Sequence, residues 1–189
     1  MPQHVRPAQP AALVCAILAD AAALDQARQR LAERLGLLDV HTPVFPFDYS
    51  AYYAREMGEG LLKQVVAFRD RVDPAGLARV KRATMGLEGE LGRGQGGECR
   101  RRANLDPGLL TTDSLVLATT KYAGHRICIA PDLFAEVTLL FERGAYRPLP
   151  WTYPDYRRDD VQELLQAVRG ALLSERRLSG QTRAAPAAC

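Results

Sequence analysis

The apolar positions along the chain change period several times, and each change marks an element. Ala11–Ala19 (AALVCAILA) is an unbroken apolar run that fits a buried central strand or a helix, and its length and the Asp20 that follows favour the strand. Leu24, Ala27, Leu31 and Leu35 then lie on one stripe of a helix that Gly36 can close. Val40–Asp48 (VHTPVFPFD) has strand composition, but Pro43 and Pro46 cannot donate to a ladder and confine it to an edge or a bulge. The tyrosine-rich YSAYYAREMGEG that follows predicts a turn or short helix. Leu61–Val72 alternates, with Leu62, Val66 and Phe68 on one face and Lys63, Arg69 and Arg71 on the other. Asp73 and Pro74 suit the N-cap and first position of a second helix, whose buried face is marked by Leu77, Val80, Thr84, Leu87 and Leu91.

Gly92–Arg102 (GRGQGGECRRR) interrupts the pattern and reads as a flexible surface loop, since it lacks the Lys-Ser/Thr that a phosphate-binding P-loop needs. Asn104–Gly108 (NLDPG) reads as a strand end and turn. Thr112–Lys121 fits either a short helix capped by Thr112 or a buried strand, and the helix is the preferred reading. The clearest alternation follows, in a hairpin from Arg126 to Phe141. A three-residue loop at Pro131–Leu133 would pair Ile129 with Ala135 and Ile127 with Val137. It would also set Cys128 against Glu136 and Arg126 against Thr138. That register gives a core face (Ile127, Ile129, Val137, Leu139) and a polar face (Arg126, Glu136, Thr138), which is either an open, solvent-facing cross-strand set or a cleft covered by Trp151–Tyr156 (WTYPDY). A last helix begins at Asp159 or Asp160, with Val161, Leu164, Leu165, Val168 and Leu172 as its apolar stripe.

The order β-α-β-β-α-β, then a short helix, a hairpin and a final helix, predicts an α+β fold. The expected form is a mostly antiparallel sheet with helices packed on one face, ferredoxin-like in its first half, plus a C-terminal hairpin and helix. Residues 1–10 are expected as a flexible leader, 11–177 as one domain and 178–189 as a disordered tail.

Composition adds exclusions. With 189 residues, 47% hydrophobic and 25% charged, the chain can bury a core without staples. The net charge of +3, from 25 basic and 22 acidic residues, is too balanced to imply a nucleic-acid partner. Cys15, Cys99, Cys128 and Cys189 form no CxxC pair. No apolar run approaches the ~18 residues of a membrane span, and no signal-peptide core is present, so the expectation is a cytoplasmic chain without a membrane partner.

The candidate chemistry gathers around the hairpin. Arg126 and Lys121 suit an anion, because Arg forks onto phosphate or carboxylate. Trp151 or Tyr153 could stack a ring. Glu136 and Asp106 are candidate acid–base groups, with His125 as a base near neutral pH. Asp48, Arg55, Asn104, Thr138 and Asp155 complete the ligand-binding candidates. Asp48 reads equally as a helix cap, Arg55 with Glu56 as an exposed pair, and Asn104 with Asp106 as turn residues bonded to their own backbone. His125 with Cys128, or with Asp106 and Glu136, has no recognisable ligand spacing, so no metal is expected. No serine sits in a nucleophile elbow, and no cofactor is indicated.

Six stretches carry a resemblance: FPFDYSAYYAREMG (Phe45–Gly58), NLDPGLLT (Asn104–Thr111), LVLATTK (Leu115–Lys121), HRI (His125–Ile127), AEVTL (Ala135–Leu139) and PLPWTYPDY (Pro148–Tyr156). In this order they resemble the domain of unknown function (DUF) family 4416 of bacteria and archaea. Leu109 stands where that family suggests Tyr, and the Gly/Arg loop and the tail depart from it. Some of its members are similar to proteins labelled as GTP-binding, which implies GTP among the ligands to consider, although this chain has neither a Walker A sequence nor NKxD. The expected function is binding of a small anionic ligand, phosphorylated or nucleotide-like, in a cleft over the 126–142 hairpin, with catalysis left open. The alternative is a protein- or RNA-interaction module built on Arg100–Arg102 and Tyr49–Tyr53.

Overall fold

The computed structural model describes residues 8–49, 51–92 and 101–183, with the side chains of Ala51, Ala54, Arg55 and residues 179–183 outside the description. In chain order the elements are β1 (Ala11–Ala19), α1 (Ala21–Leu35), β2 (Leu38–His41), β3 (Phe45–Pro46), α2 (Ala51–Met57), β4 (Leu62–Val72), α3 (Leu77–Leu91), β5 (Ala103–Leu110), β6 (Ser114–Thr119), β7 (Ile127–Ala130), β8 (Leu133–Glu142), β9 (Ala145–Pro148) and α4 (Asp159–Arg183). The strands form one antiparallel sheet ordered β2-β4-β1-β5-β6-β8-β7, with β3 added on β4 and β9 on β8. Its first four strands have the order of a ferredoxin-like half, with α1 and α3 as the two crossovers.

β1 is apolar at every position and buried along its whole length, so neither of its faces can be left to water. Leu13, Cys15 and Ile17 pack against Leu24 and Leu31 of α1 and Leu87 of α3. Ala12, Val14 and Ala16 face the other way, into a cluster with Val161, Leu165 and Val168 of α4. The helices therefore cover both faces, not the single face expected. Capping sets the crossovers. The Asp20 carboxylate accepts the Ala23 N–H at 2.8 Å, and Gly36, at φ 111°, ends α1 with its N–H on Ala32 O. Asp73 caps a short 3-10 turn over Pro74–Gly76 that leads into α3.

The second half departs from expectation in four places. The stretch expected as a short helix is strand β6. Thr111 Oγ1 accepts the N–H groups of Asp113 and Ser114 in a tight turn, and β6 then satisfies the facing edges of β5 and β8. The NLDPG stretch lies inside β5 instead of forming a turn. The β7–β8 register is slipped by two residues: Ile127 faces Ala135, Cys128 faces Phe134 and Ala130 faces Leu133, with a bulge between Cys128 and Ala130. Ile127, assigned to the core, is 68% exposed on this edge strand. A second bulge pairs Leu115 with Leu139 and the next residue, Val116, with Val137, so Thr138 is extra. An extra residue reverses the alternation, which puts Ala135 with Leu77 on the α3 side and Leu139 with Leu165 on the α4 side.

Two elements extend past what the pattern suggested. β8 turns into β9 through Arg143 and Gly144, at φ 50° and 83°, a two-residue turn of the kind that matches strand twist. α4 continues to Arg183, beyond Leu178, where the disordered tail was expected to begin. Among the described residues, no helix is long and apolar enough to cross a membrane.

Candidate functional site

The site begins where the sheet comes apart. β5 and β6 pair only at Gly108–Leu117, Leu109–Val116 and Leu110–Leu115. Gly108 permits this approach: a Cβ there would lie 2.6 Å from Leu117 Cδ2 and 2.9 Å from Val116 O. Beyond that point Asn104–Asp106 stays paired to β1, while Leu117–Thr119 follows β8. Leu105 is left with backbone groups that β6 does not reach, and α3 meets them. Glu88 Oε1 accepts the Leu105 N–H at 2.6 Å, and Lys81 Nζ donates to Leu105 O at 2.8 Å. By strand alternation Pro107 points the same way, where it has no N–H to satisfy, and this is why a proline is tolerated inside the strand.

The gap between the strands is a cavity of ≈ 510 Å³, within the range of small-molecule sites. Its β5 wall is a chain of polar contacts. Arg101 donates to Asn104 Oδ1, Asn104 Nδ2 donates to Asp106 Oδ2 at 2.6 Å, and Lys81 Nζ lies 3.3 Å from Asp106 Oδ1. Arg101 also ion-pairs with Glu56 at 3.1 Å and Glu88 at 3.5 Å. Burial alone would raise the Asp106 carboxyl, but Lys81 and Lys63 outweigh it and hold the group below its ordinary value. Glu88 goes the other way: burial lifts it above its ordinary value against the pull of Lys81 and the Leu105 N–H.

The opposite wall rests on Glu136, whose Oε2 accepts Arg126 Nε at 2.8 Å and lies 2.9 Å from His125 Nε2. Thr138 Oγ1 donates to Glu136 Oε1 at 3.3 Å. Arg126 Nη1 also donates to Lys121 O at 2.8 Å. The WTYPDY segment does fold over this polar group. Trp151 Nε1 donates to Val137 O at 2.8 Å, its ring stacks on His125 at 4.5 Å, and Asp155 ion-pairs with Lys63 of β4. At the mouth, Lys121 Nζ sits 4.4 Å from the centre of the Tyr52 ring and 5.6 Å from that of Tyr53.

Residues 9–171 match the family described as Domain of unknown function (DUF4416). The chain belongs to that family. No curated protein and no solved structure matches it. Every residue lining the cavity of this DUF4416 protein, from Leu18 to Tyr156, falls within the matched span.

Of the residues singled out in the sequence, Asn104, Asp106, Lys121, Arg126, Glu136, Tyr153 and Asp155 line the cavity together. His125, Thr138 and Trp151 stand behind that lining, bracing Glu136 and β8. Asp48 is exposed and does not line the cavity, and the Arg55 side chain lies outside the described residues. Sequence reasoning missed Lys63, Lys81 and Glu88, and it assigned Arg101 only to the alternative interaction module. A signal for two of them existed: Lys81 and Glu88 fall on the same helical stripe as Leu77, Thr84 and Leu91, where charged residues need a partner. Among the described residues, no group of His, Cys, Asp and Glu is arranged to hold a metal ion.

Proposed function

We propose that this DUF4416 protein binds a small anionic ligand, phosphorylated or nucleotide-like, in the cavity between β5 and β6. One observation carries this reading: Lys63, Lys81, Arg101, Lys121 and Arg126 converge on that cavity from separate parts of the chain. Glu88, Asp106, Glu136 and Asp155 line it too, so five basic and four acidic side chains leave one net positive charge when all are ionised. Lys121 is the principal anchor. Among the described residues it has no carboxylate within ion-pair distance, whereas the other four cations each have at least one. Tyr153, half exposed at the rim, offers a ring face to a base or sugar. A guanine nucleotide belongs to the ligand class, held by side chains instead of a P-loop.

Proton transfer on such a ligand would fall to Asp106 and Glu88. Glu136 is held by Arg126, His125 and Thr138 with only 3% of its side chain open, and His125 does not line the cavity. The alternative, an RNA- or protein-interaction module, draws less support. Arg101 is spent on Glu56 and Glu88, Arg102 pairs with Asp20 at 3.3 Å, and Tyr53 lines the cavity. Arg100 lies outside the described residues.

Thermal unfolding of the full chain against a panel of nucleotides and sugar phosphates tests the reading. A ligand at a hundredfold excess over its Kd should add about 2.7 kcal/mol of stability. Lys121→Ala should abolish that gain while leaving the unliganded stability within about 0.5 kcal/mol of the parent. Silence across the whole panel, with salt-sensitive retention on RNA, would overturn it in favour of the interaction module.

A further inference from the structure

The carboxylates of the cavity differ in how much bonding capacity they have left. Glu136 and Asp155 each keep 3% of their side-chain surface open, and Glu88 keeps 14%. Asp106 keeps 31%, all of it from a position deep between β5 and α3. A carboxylate can accept about four hydrogen bonds. Among the described residues two are used, one on each oxygen: Lys81 on Oδ1 and Asn104 on Oδ2. Asp106 lines the cavity, so the remaining acceptor capacity of the carboxylate is open to a ligand there. Asn104, two residues away on the same strand face, points its amide along the same wall and is itself fixed by Arg101.

A second anion placed against Asp106 would be repelled. A cationic group is also disfavoured, because Lys81 is in contact with Asp106 and Lys63, which lines the same cavity, acts on it as well. A neutral donor is what remains, and two free acceptor positions on one carboxylate match two neighbouring hydroxyls. We infer that Asp106, braced by Asn104 and Lys81, reads vicinal hydroxyls, so that the ligand is a phosphorylated polyol such as a sugar phosphate or the ribose end of a nucleotide. The anion then lies toward Lys121 and Arg126, and the hydroxyls lie toward β5. This rests on the anion-binding reading above and narrows it, since a bare phosphate would leave Asp106 unused.

Affinities of inorganic phosphate, ribose 5-phosphate, glucose 6-phosphate and neutral ribose, measured by calorimetry on the full chain, separate the two ideas. At least one sugar phosphate should bind tenfold or more tighter than inorganic phosphate, the rough worth of one charge-assisted hydrogen bond. In Asp106→Asn, which keeps the shape of the wall, the ratio of sugar phosphate to phosphate affinity within the variant should fall toward one. Equal affinities in the parent protein, or a ratio that survives Asp106→Asn, would overturn the hydroxyl subsite and leave the anion site standing. Ribose binding as tightly as ribose 5-phosphate would do the reverse. Binding of none of the four overturns both.

Discussion

Asp106 is a carboxylate that its neighbours keep charged in a place where burial alone would neutralise it. Its folded-state value lies below the unfolded one, near 3.9 for Asp, because Lys81 and Lys63 outweigh burial. The unfolded chain therefore takes up this proton at a pH where the folded chain does not. The stability so contributed is present above about pH 4 and is lost as pH falls through the lower folded value. Glu88 has the opposite sign. Burial raises it, so its contribution is complete below about pH 4.3 and lost as pH rises through the folded value. Urea midpoints measured from pH 3 to pH 7 should thus fall less steeply on the acid side in Asp106→Asn than in the parent chain. Parallel acid limbs would mean that the two lysines do not hold Asp106 down. Neither lysine was visible as a site residue from the pattern alone. Lys63 falls on a face shared with Arg69 and Arg71, and Lys81 lies unmarked between Val80 and Thr84.

At the scale of elements, legibility followed how local the determining interactions are. β1, α1, α3 and α4 were clear because a long apolar run or stripe settles them without reference to distant residues. The register of β7 on β8 was not, because two bulges, at Ile129 and Thr138, shift the period of two for reasons that lie across the sheet. β6 was misread because LVLATT suits a helix or a buried strand equally, and the choice is made by the open edges on either side. The meeting of Arg126 with Glu136 survived these errors, since a slip of two residues preserves which face each side chain takes. The divergence of β5 from β6 had no signature except Pro107 and Gly108. What maintains it is α3, through Glu88 on the Leu105 N–H and Lys81 on its carbonyl. Glu88→Ala leaves that buried N–H unsatisfied and should cost about 1–3 kcal/mol in chemical denaturation, whereas Glu88→Gln, which retains an acceptor oxygen, should recover most of it. Equal losses in the two variants would assign Glu88 a role in charge balance instead.

The whole molecule is a sheet with a separate apolar layer on each side, and β1 supplies alternate residues to both. This arrangement explains why the cavity sits where it does. Helices cover the central strands from both faces, so a ligand-sized space can open only where two strands part, with α3 closing one face and the Tyr153–Tyr156 turn the other. It also predicts how the two layers share stability. Leu31 of α1 and Leu165 of α4 are both fully buried, one in each layer. Truncation of either to Ala should cost about 2–5 kcal/mol, which at a domain of this size lowers the melting midpoint by roughly 2–4 °C per kcal/mol. Leu31 packs in one buried cluster and Leu165 in the other, on opposite faces of the sheet, and the two clusters have no residue in common. Sites so separated, with no shared partner, add within about 0.5 kcal/mol. The double variant Leu31→Ala/Leu165→Ala should therefore unfold in a single transition, at a cost equal to the sum of the two. Two separate transitions would mean that the layers are independent folding units. A single transition with a coupling well above 0.5 kcal/mol would mean that β1 transmits packing strain from one face to the other, and with it to the cavity wall that β5 builds on β1.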